Sequence, residues 1–297
     1  MSRLPLCILT GLLVCPRAHG QDPAGLRARI EARIAATPGG SVGVYYRDLT
    51  TRDSVLVGAR LRFHAASTMK VPVMIQLFRD RDAHRLSLDD SIPVTNTFES
   101  IVDSSTYGLD KADDSDSTLY ARVGGKASIR ELVELMETVS SNLATNILIT
   151  RIGAPRANAT AHRLGADSIL VLRGVEDGKA YRAGRNNTTT ARDLGVLMAA
   201  IAQNRAASPA ACREMLEILG RQHFKEGIPA GLPEGTRVYH KTGWVGKVVY
   251  HDAAIVELPG GRRYVLVVLT GGIEKDEDSY KVVSDISRMV YAAVTGR

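Results

Sequence analysis

Ser67 and Lys70, in the run Ser67-Thr68-Met69-Lys70, have the residue types and spacing from which an activated alcohol can be made. The apolar run Val71-Pro72-Val73-Met74-Ile75 follows, so the motif reads as the start of a helix. Side chains three apart share a helix face, which puts the Lys70 amine within reach of the Ser67 oxygen. A serine at a helix start also lies in the positive field of free backbone N–H groups. A buried lysine gives up its proton more readily than a solvated one, so Lys70 can serve as base without a histidine. Taken alone the pattern is weak, because about one Ser-x-x-Lys is expected by chance in a chain of this length.

Two further groups supply what the first lacks. Ser140-Ser141-Asn142 follows a helical stretch opened by Ser128-Ile129-Arg130-Glu131, a capping-box pattern ahead of Leu132 to Met136. Lys241-Thr242-Gly243 comes at the end of the strand-like run Thr236–Lys241. The elements that must position these groups divide by chain position. Ser41–Tyr46 and Ser54–Val57 read as a hairpin near the front, while Thr236–Lys241, Ala253–Glu257 and Tyr264–Leu269 read as three strands near the back. Pro23–Ala36 and Ser279–Val294 read as helices, and Thr190-Ala191-Arg192-Asp193 and Ser208-Pro209 start two more in the middle of the chain. The expected fold is α/β, with a five-stranded antiparallel sheet built from both chain ends (about 21–66 and 220–297). A helical subdomain (about 67–219) is inserted into it, and the cleft between the two is where a ligand site belongs.

Three motifs in this order resemble those of the class A serine β-lactamases, within the penicillin-recognising serine hydrolases. The resemblance covers nearly the whole chain after residue 20. It is strongest at Phe63–Pro72, Val139–Leu148 and Lys241–Gly243, and extends to Asn187-Thr188-Thr189-Thr190-Ala191. It implies a β-lactamase/DD-peptidase-like fold and a β-lactam as the small-molecule substrate, with no cofactor and no metal. It also implies roles. Ser67 would be acylated, and its backbone N–H with that of Trp244 would form the oxyanion hole. Ser140 would pass a proton to the leaving nitrogen with Lys70 and Lys241. Asn142 would hold the substrate's side-chain amide, and Lys241, Thr242 and Gly243 its ring carboxylate. Glu176, 36 residues after Ser140 and behind Arg173-Gly174-Val175, would activate the deacylating water, with Asn146 buttressing its loop.

Some residues depart from that pattern. Ser141 stands where the second motif usually has an aspartate that supports the loop. Lys179 and Ala180 replace the Leu-Asn pair expected after Glu176, and Trp244, the only tryptophan, replaces a small residue. Tyr107 or Tyr120 is expected to wall the cleft. The related alternatives are a D-alanyl-D-alanine peptidase or esterase of the same fold, and a sensor that is acylated once and stays modified.

Composition narrows the remaining choices. The 297 residues are 44% hydrophobic and 24% charged, enough for a substantial core. Arg3, the apolar stretch 4–14 and Ala18-His19-Gly20 read as a signal peptide over residues 1–20, so the expected location is secreted or periplasmic with no membrane anchor. Its removal leaves one cysteine, Cys212, and hence no internal disulfide. The basic residues are scattered, which argues against nucleic-acid binding, and a monomer is expected. Asp110, Asp113, Asp114 and Asp116 lack calcium-loop spacing and read as a solvated loop. His240 and His251 lack zinc spacing and read as packed or surface histidines.

Overall fold

A computed structural model describes residues 23–296. The expected signal peptide, residues 1–20, lies outside the described residues. The chain opens with α1 (Pro23–Ala35) and the hairpin β1 (Ser41–Asp48) and β2 (Ser54–Val57). It continues through helices α2 (Lys70–Asp82), α3 (Ile129–Thr138), α4 (Asn142–Ile152), α5 (Ala154–Arg163), α6 (Gly178–Arg182), α7 (Ala191–Ala202) and α8 (Pro209–Leu219). It closes with β3 (Arg237–Val245), β4 (Val249–Glu257), β5 (Arg263–Gly271) and α9 (Asp276–Thr295).

The five strands form one antiparallel sheet in the order β2-β1-β5-β4-β3. The near-continuous apolar run of β5 reflects burial on both faces, because successive side chains point to opposite sides. Val265, Val267 and Leu269 join the core shared with α2 to α5, α7 and α8, whereas Tyr264, Leu266 and Val268 join a second core beneath α1 and α9. The α/β fold with its antiparallel five-stranded sheet and inserted helices is therefore as expected.

Hydroxyl caps place the inner helices. Ser128, Thr190 and Ser208 each accept a backbone N–H at the start of α3, α7 and α8. Two boundaries differ from the sequence reading. β3 runs on to Val245, so Lys241-Thr242-Gly243 lies inside the strand rather than at its end, because the ladder to β4 continues through Gly243 and Trp244, paired with His251 and Tyr250. The last helix starts three residues earlier than expected, with Asp276, Glu277 and Asp278 in its first turn, where carboxylates meet the positive end of the helix.

Candidate active site

Ser67 lies in a short 3-10 turn, Ala66–Met69, that runs directly into α2. Its side chain is partly exposed while Ala66, Thr68 and Met69 are buried. Ala66 takes a left-handed φ of 45°, held by its N–H donating to His64 Nδ1 at 3.1 Å. Thr68 Oγ1 donates to the Ala65 carbonyl at 2.6 Å. β3 crosses this turn at Gly243, where a methyl group would lie 3.1 Å from the Thr68 nitrogen and 3.2 Å from Ala66 Cβ. Glycine there lets the strand approach the turn that carries the serine.

Lys70 is fully buried, and its ammonium donates to the Ser140 carbonyl at 2.7 Å, Ser140 Oγ at 3.1 Å and Asn142 Oδ1 at 3.0 Å. Three acceptors satisfy its three donors, and none of them is Ser67 Oγ. Burial, reinforced by the positive charge of Lys241, holds the Lys70 pKa well below the usual lysine range. Lys241, also fully buried, donates to Ser140 Oγ at 3.1 Å and to the Thr242 carbonyl at 3.0 Å. Ser140 Oγ thus bridges two amines that the sequence places 171 residues apart. Ser140 itself holds a left-handed φ of 61°, uncommon for a non-glycine residue and fixed here by its neighbours.

Glu137, in the last turn of α3, escaped the sequence reading. It is fully buried, and neither carboxylate oxygen has a hydrogen-bond partner among the described residues. Its charge acts on both lysines: burial raises its pKa, and the attraction of Lys241 and Lys70 opposes that rise. One acid among apolar neighbours two residues before Val139-Ser140 was the available signal.

Glu176 is brought to the same place from the far wall. Asn142 Nδ2 donates to Glu176 Oε1 at 2.7 Å, so one amide contacts Lys70 through its oxygen and Glu176 through its nitrogen. Burial pushes the Glu176 carboxyl above the usual range, against the hydrogen bond from Asn142. The residue has a φ of 60° and lies in a loop pinned at several points. Asn146 accepts the Val175 N–H at 2.6 Å and donates to the Val175 carbonyl at 3.0 Å, as the buttressing reading expects. Gly174 passes so close that a methyl group would sit 2.2 Å from Asn146 Oδ1. Asn187 closes the neck, accepting from Leu172 and Arg173 and donating to the Arg173 carbonyl. In place of the missing Leu-Asn pair, Asp177 caps α6 and accepts from Ser100 and Ile101, while Lys179 Nζ donates to Asp103 at 2.8 Å.

The aspartate absent at Ser141 has a replacement from outside the motif. Asp114 accepts the Asn142 and Leu143 N–H groups at 2.9 Å each, and Ser141 Oγ accepts that of Ala144. Asp114 is therefore no solvated loop residue as expected, because the first turn of α4 has unsatisfied N–H groups that a carboxylate can take. Tyr120 Oη donates to Asp114 and Tyr107 Oη to the Val175 carbonyl, so both tyrosines brace the site from behind and neither lines the cleft. His251 is buried and neutral, its pKa lowered to about 4 by burial. His240 pairs with Asp252 at 3.0 Å. Among the described residues no cluster of three His, Cys, Asp or Glu side chains could hold a metal ion.

Ser67 opens onto two cavities, with Trp244 bordering both. One, of about 390 Å³, lies toward Asn142, Glu176 and Tyr181. The other, of about 320 Å³, lies toward Ser140, Thr242 and Tyr250. Trp244 is 54% exposed at the end of the sheet's edge strand and stands between them.

A partly exposed serine beside two buried amines and a carboxylate, at the seam of a sheet and a helical layer, is the arrangement of a serine acyl-transfer site. The chain belongs to the beta-lactamase enzyme family, whose family model matches residues 25–294. A β-lactamase of Bacteroides uniformis is 27% identical over 256 residues, covering 82% of each chain. Among solved structures, a mutant of PBP-A in an acyl-enzyme complex with penicillin G is 29% identical, with a TM-score of 0.79 over 92% of this chain and 97% of that one. The β-lactamase of Sphaerobacter thermophilus is 26% identical, with a TM-score of 0.77 over 93% and 99% of the respective chains.

Proposed function

We propose that this protein is a serine β-lactamase that opens the lactam ring through an acyl-Ser67 intermediate and clears it with water activated by Glu176. The observation that carries the reading is the double contact of Ser140 Oγ with Lys70 and Lys241, together with Glu176 reached through Asn142. Lys70 in its neutral form takes the proton as Ser67 Oγ attacks the lactam carbonyl carbon. The N–H groups of Ser67 and Trp244 stabilise the developing oxyanion. As the ring C–N bond breaks, Ser140 gives its proton to the leaving nitrogen and is resupplied from the lysine side. Glu176 then accepts a proton from the water that attacks the ester, and Ser67 leaves with a proton restored. Asn142 holds the side-chain amide, while Lys241, Thr242 and Gly243 receive the ring carboxylate, and the Trp244 indole walls the ring.

Glu176 separates this reading from a peptidase or a sensor, because a carboxylate at the acyl site shortens the life of the ester. Many equivalents of nitrocefin and benzylpenicillin should be hydrolysed by the wild type and none by Ser67→Ala. One equivalent bound followed by arrest would replace turnover with the sensor or peptidase reading. The leader-like residues 1–20 support export to the periplasm or beyond, and among the described residues no helix is long and apolar enough to cross a membrane. Material recovered from outside the cytoplasm should then begin at Gln21.

A further inference from the structure

The cavity on the Ser140 side carries a specificity that the catalytic residues do not explain. Its walls are Phe224, Trp244, Tyr250 and Tyr280, with the carboxylate of Glu226 at the rim. Lys70 and Lys241 reach it only from the Ser140 end, where the ring carboxylate would sit, and no lysine or arginine lines its aromatic end. Tyr250 and Tyr280 meet edge to face, with ring centroids 4.5 Å apart. Tyr250 is only 4% exposed, and its Oη has no hydrogen-bond partner among the described residues. Glu226 is exposed and forms no ion pair among the described residues. Burial raises the pKa of both tyrosines; the charge of Glu226, with that of Asp252, adds to the rise at Tyr250 and, with those of Asp276 and Glu277, to the rise at Tyr280. Ring faces and unneutralised carboxylates both attract cations, and aromatic walls of this kind bind quaternary ammonium groups.

We propose that this cavity is a cage for a cationic substituent, and that the enzyme prefers β-lactams bearing a pyridinium or quaternary ammonium group next to the ring carboxylate. The inference rests on the lactamase reading for the identity of the substrate. With the lactam carbonyl at Ser67 and the carboxylate at Lys241 and Thr242, the acylamido side chain runs toward Asn142 and Glu176. A group on the ring carbon adjacent to the carboxylate then points into the opposite cavity, between Trp244 and Tyr280.

Cephalothin and cephaloridine share one acyl side chain and differ in that substituent, a neutral acetoxy group in the first and a pyridinium in the second. The wild type should favour cephaloridine in kcat/KM by about fivefold or more, the scale of one partly desolvated cation–π contact. Glu226→Gln and Tyr280→Leu should each reduce that ratio several-fold. A wild-type ratio near one, or a ratio that neither substitution changes, overturns the cage. A second measurement is independent of turnover. Trp244, the sole tryptophan, should show a saturable emission change with choline but not with its neutral isostere 3,3-dimethyl-1-butanol, and Glu226→Gln should weaken the choline response. Equal responses to the two overturn the cage. The lactamase reading fails only if benzylpenicillin and nitrocefin are not turned over either; where neither cephalosporin is hydrolysed, the choline titration alone decides the cavity's character, and an absent or equal response overturns the cage.

Discussion

Asp114 accepts the backbone N–H of Asn142 at 2.9 Å, and so a residue outside every recognisable motif fixes the first turn of the helix that presents the substrate-holding amide. The same carboxylate accepts from Leu143 and from Tyr120, which ties the loop before α3 to the floor of the site. Asp114→Ala leaves those helix N–H groups without acceptors. It should cost about 1–2 kcal/mol of stability in urea unfolding, the range for a lost helix cap. Nitrocefin hydrolysis should fall with it, because Asn142 loses its anchor. Unchanged stability and rate would mean that Ser141 alone is a sufficient cap.

Glu176 should govern deacylation more than acylation. Glu176→Gln is expected to slow ester hydrolysis by about 10²–10⁴-fold, the usual contribution of a general base, and a penicillin adduct should accumulate in intact-mass spectra. Since burial raises its pKa, the wild type itself should begin to retain adduct on acidification at a higher pH than an ordinary carboxylate would allow. Clearance unaltered in the variant would move the base elsewhere.

Gly174→Ala tests the loop without touching the carboxylate. The added methyl would press on Asn146 Oδ1, the acceptor of the Val175 N–H. Single-turnover measurements should show slower deacylation with acylation largely retained. Equal loss of both steps would show that the loop supports the whole site.

Glu137 should set the pH window through the two lysines. Its negative charge favours the protonated form of each. Asp114 and Glu176 also raise the Lys70 pKa, and Asp252, paired with His240, also raises that of Lys241, so removing one charge shifts the balance without abolishing it. In Glu137→Gln both amines should lose protons more readily. The acid limb of kcat/KM, set by neutral Lys70, and the alkaline limb, set by charged Lys241, should both move to lower pH. A purely structural role would lower the rate without moving either limb.

His251 makes the fold sensitive to acid. Its Nε2 lies 2.8 Å from the His64 carbonyl and its Nδ1 2.9 Å from the Tyr250 carbonyl, acceptors that favour the protonated ring but are outweighed by its burial. The folded pKa of about 4 lies below the ordinary histidine value of about 6.5, so between those values the unfolded chain binds the extra proton. The neutral ring's contribution to stability is complete above pH 6.5 and is lost as pH falls toward 4, amounting to up to about 3 kcal/mol. Thermal melts of the wild type should fall across that interval more steeply than those of His251→Gln. Parallel curves would assign the acid sensitivity to other groups.

Periodicity and caps made most of the architecture legible in the sequence. β1, β2 and β5 show alternating or continuous apolar runs, and Ser128, Thr190 and Ser208 mark helix starts by their hydroxyls. The cluster of Ser67, Lys70, Ser140 and Lys241 was legible because four uncommon choices occur in three short motifs. Asp114 and Glu137 were not, because each acts through space on residues distant in the chain; Asp114 looks locally like a solvated acid, and the one cue to Glu137 was its place among the core positions of α3. The strand-like run ends at Lys241 in the sequence, yet β3 continues to Val245, and Gly243 permits its close passage over the turn bearing Ser67.

The order of strands across the sheet has a consequence for assembly. β5, the last in sequence of the sheet's described strands, occupies the middle, with the amino-terminal hairpin on one side and β4 on the other. Until residues 263–271 are in place, that hairpin lacks the strand that joins it to β4 and β3. Ser67, on the turn before α2, and Lys241, in β3, therefore share one site only in a chain long enough to complete this sheet.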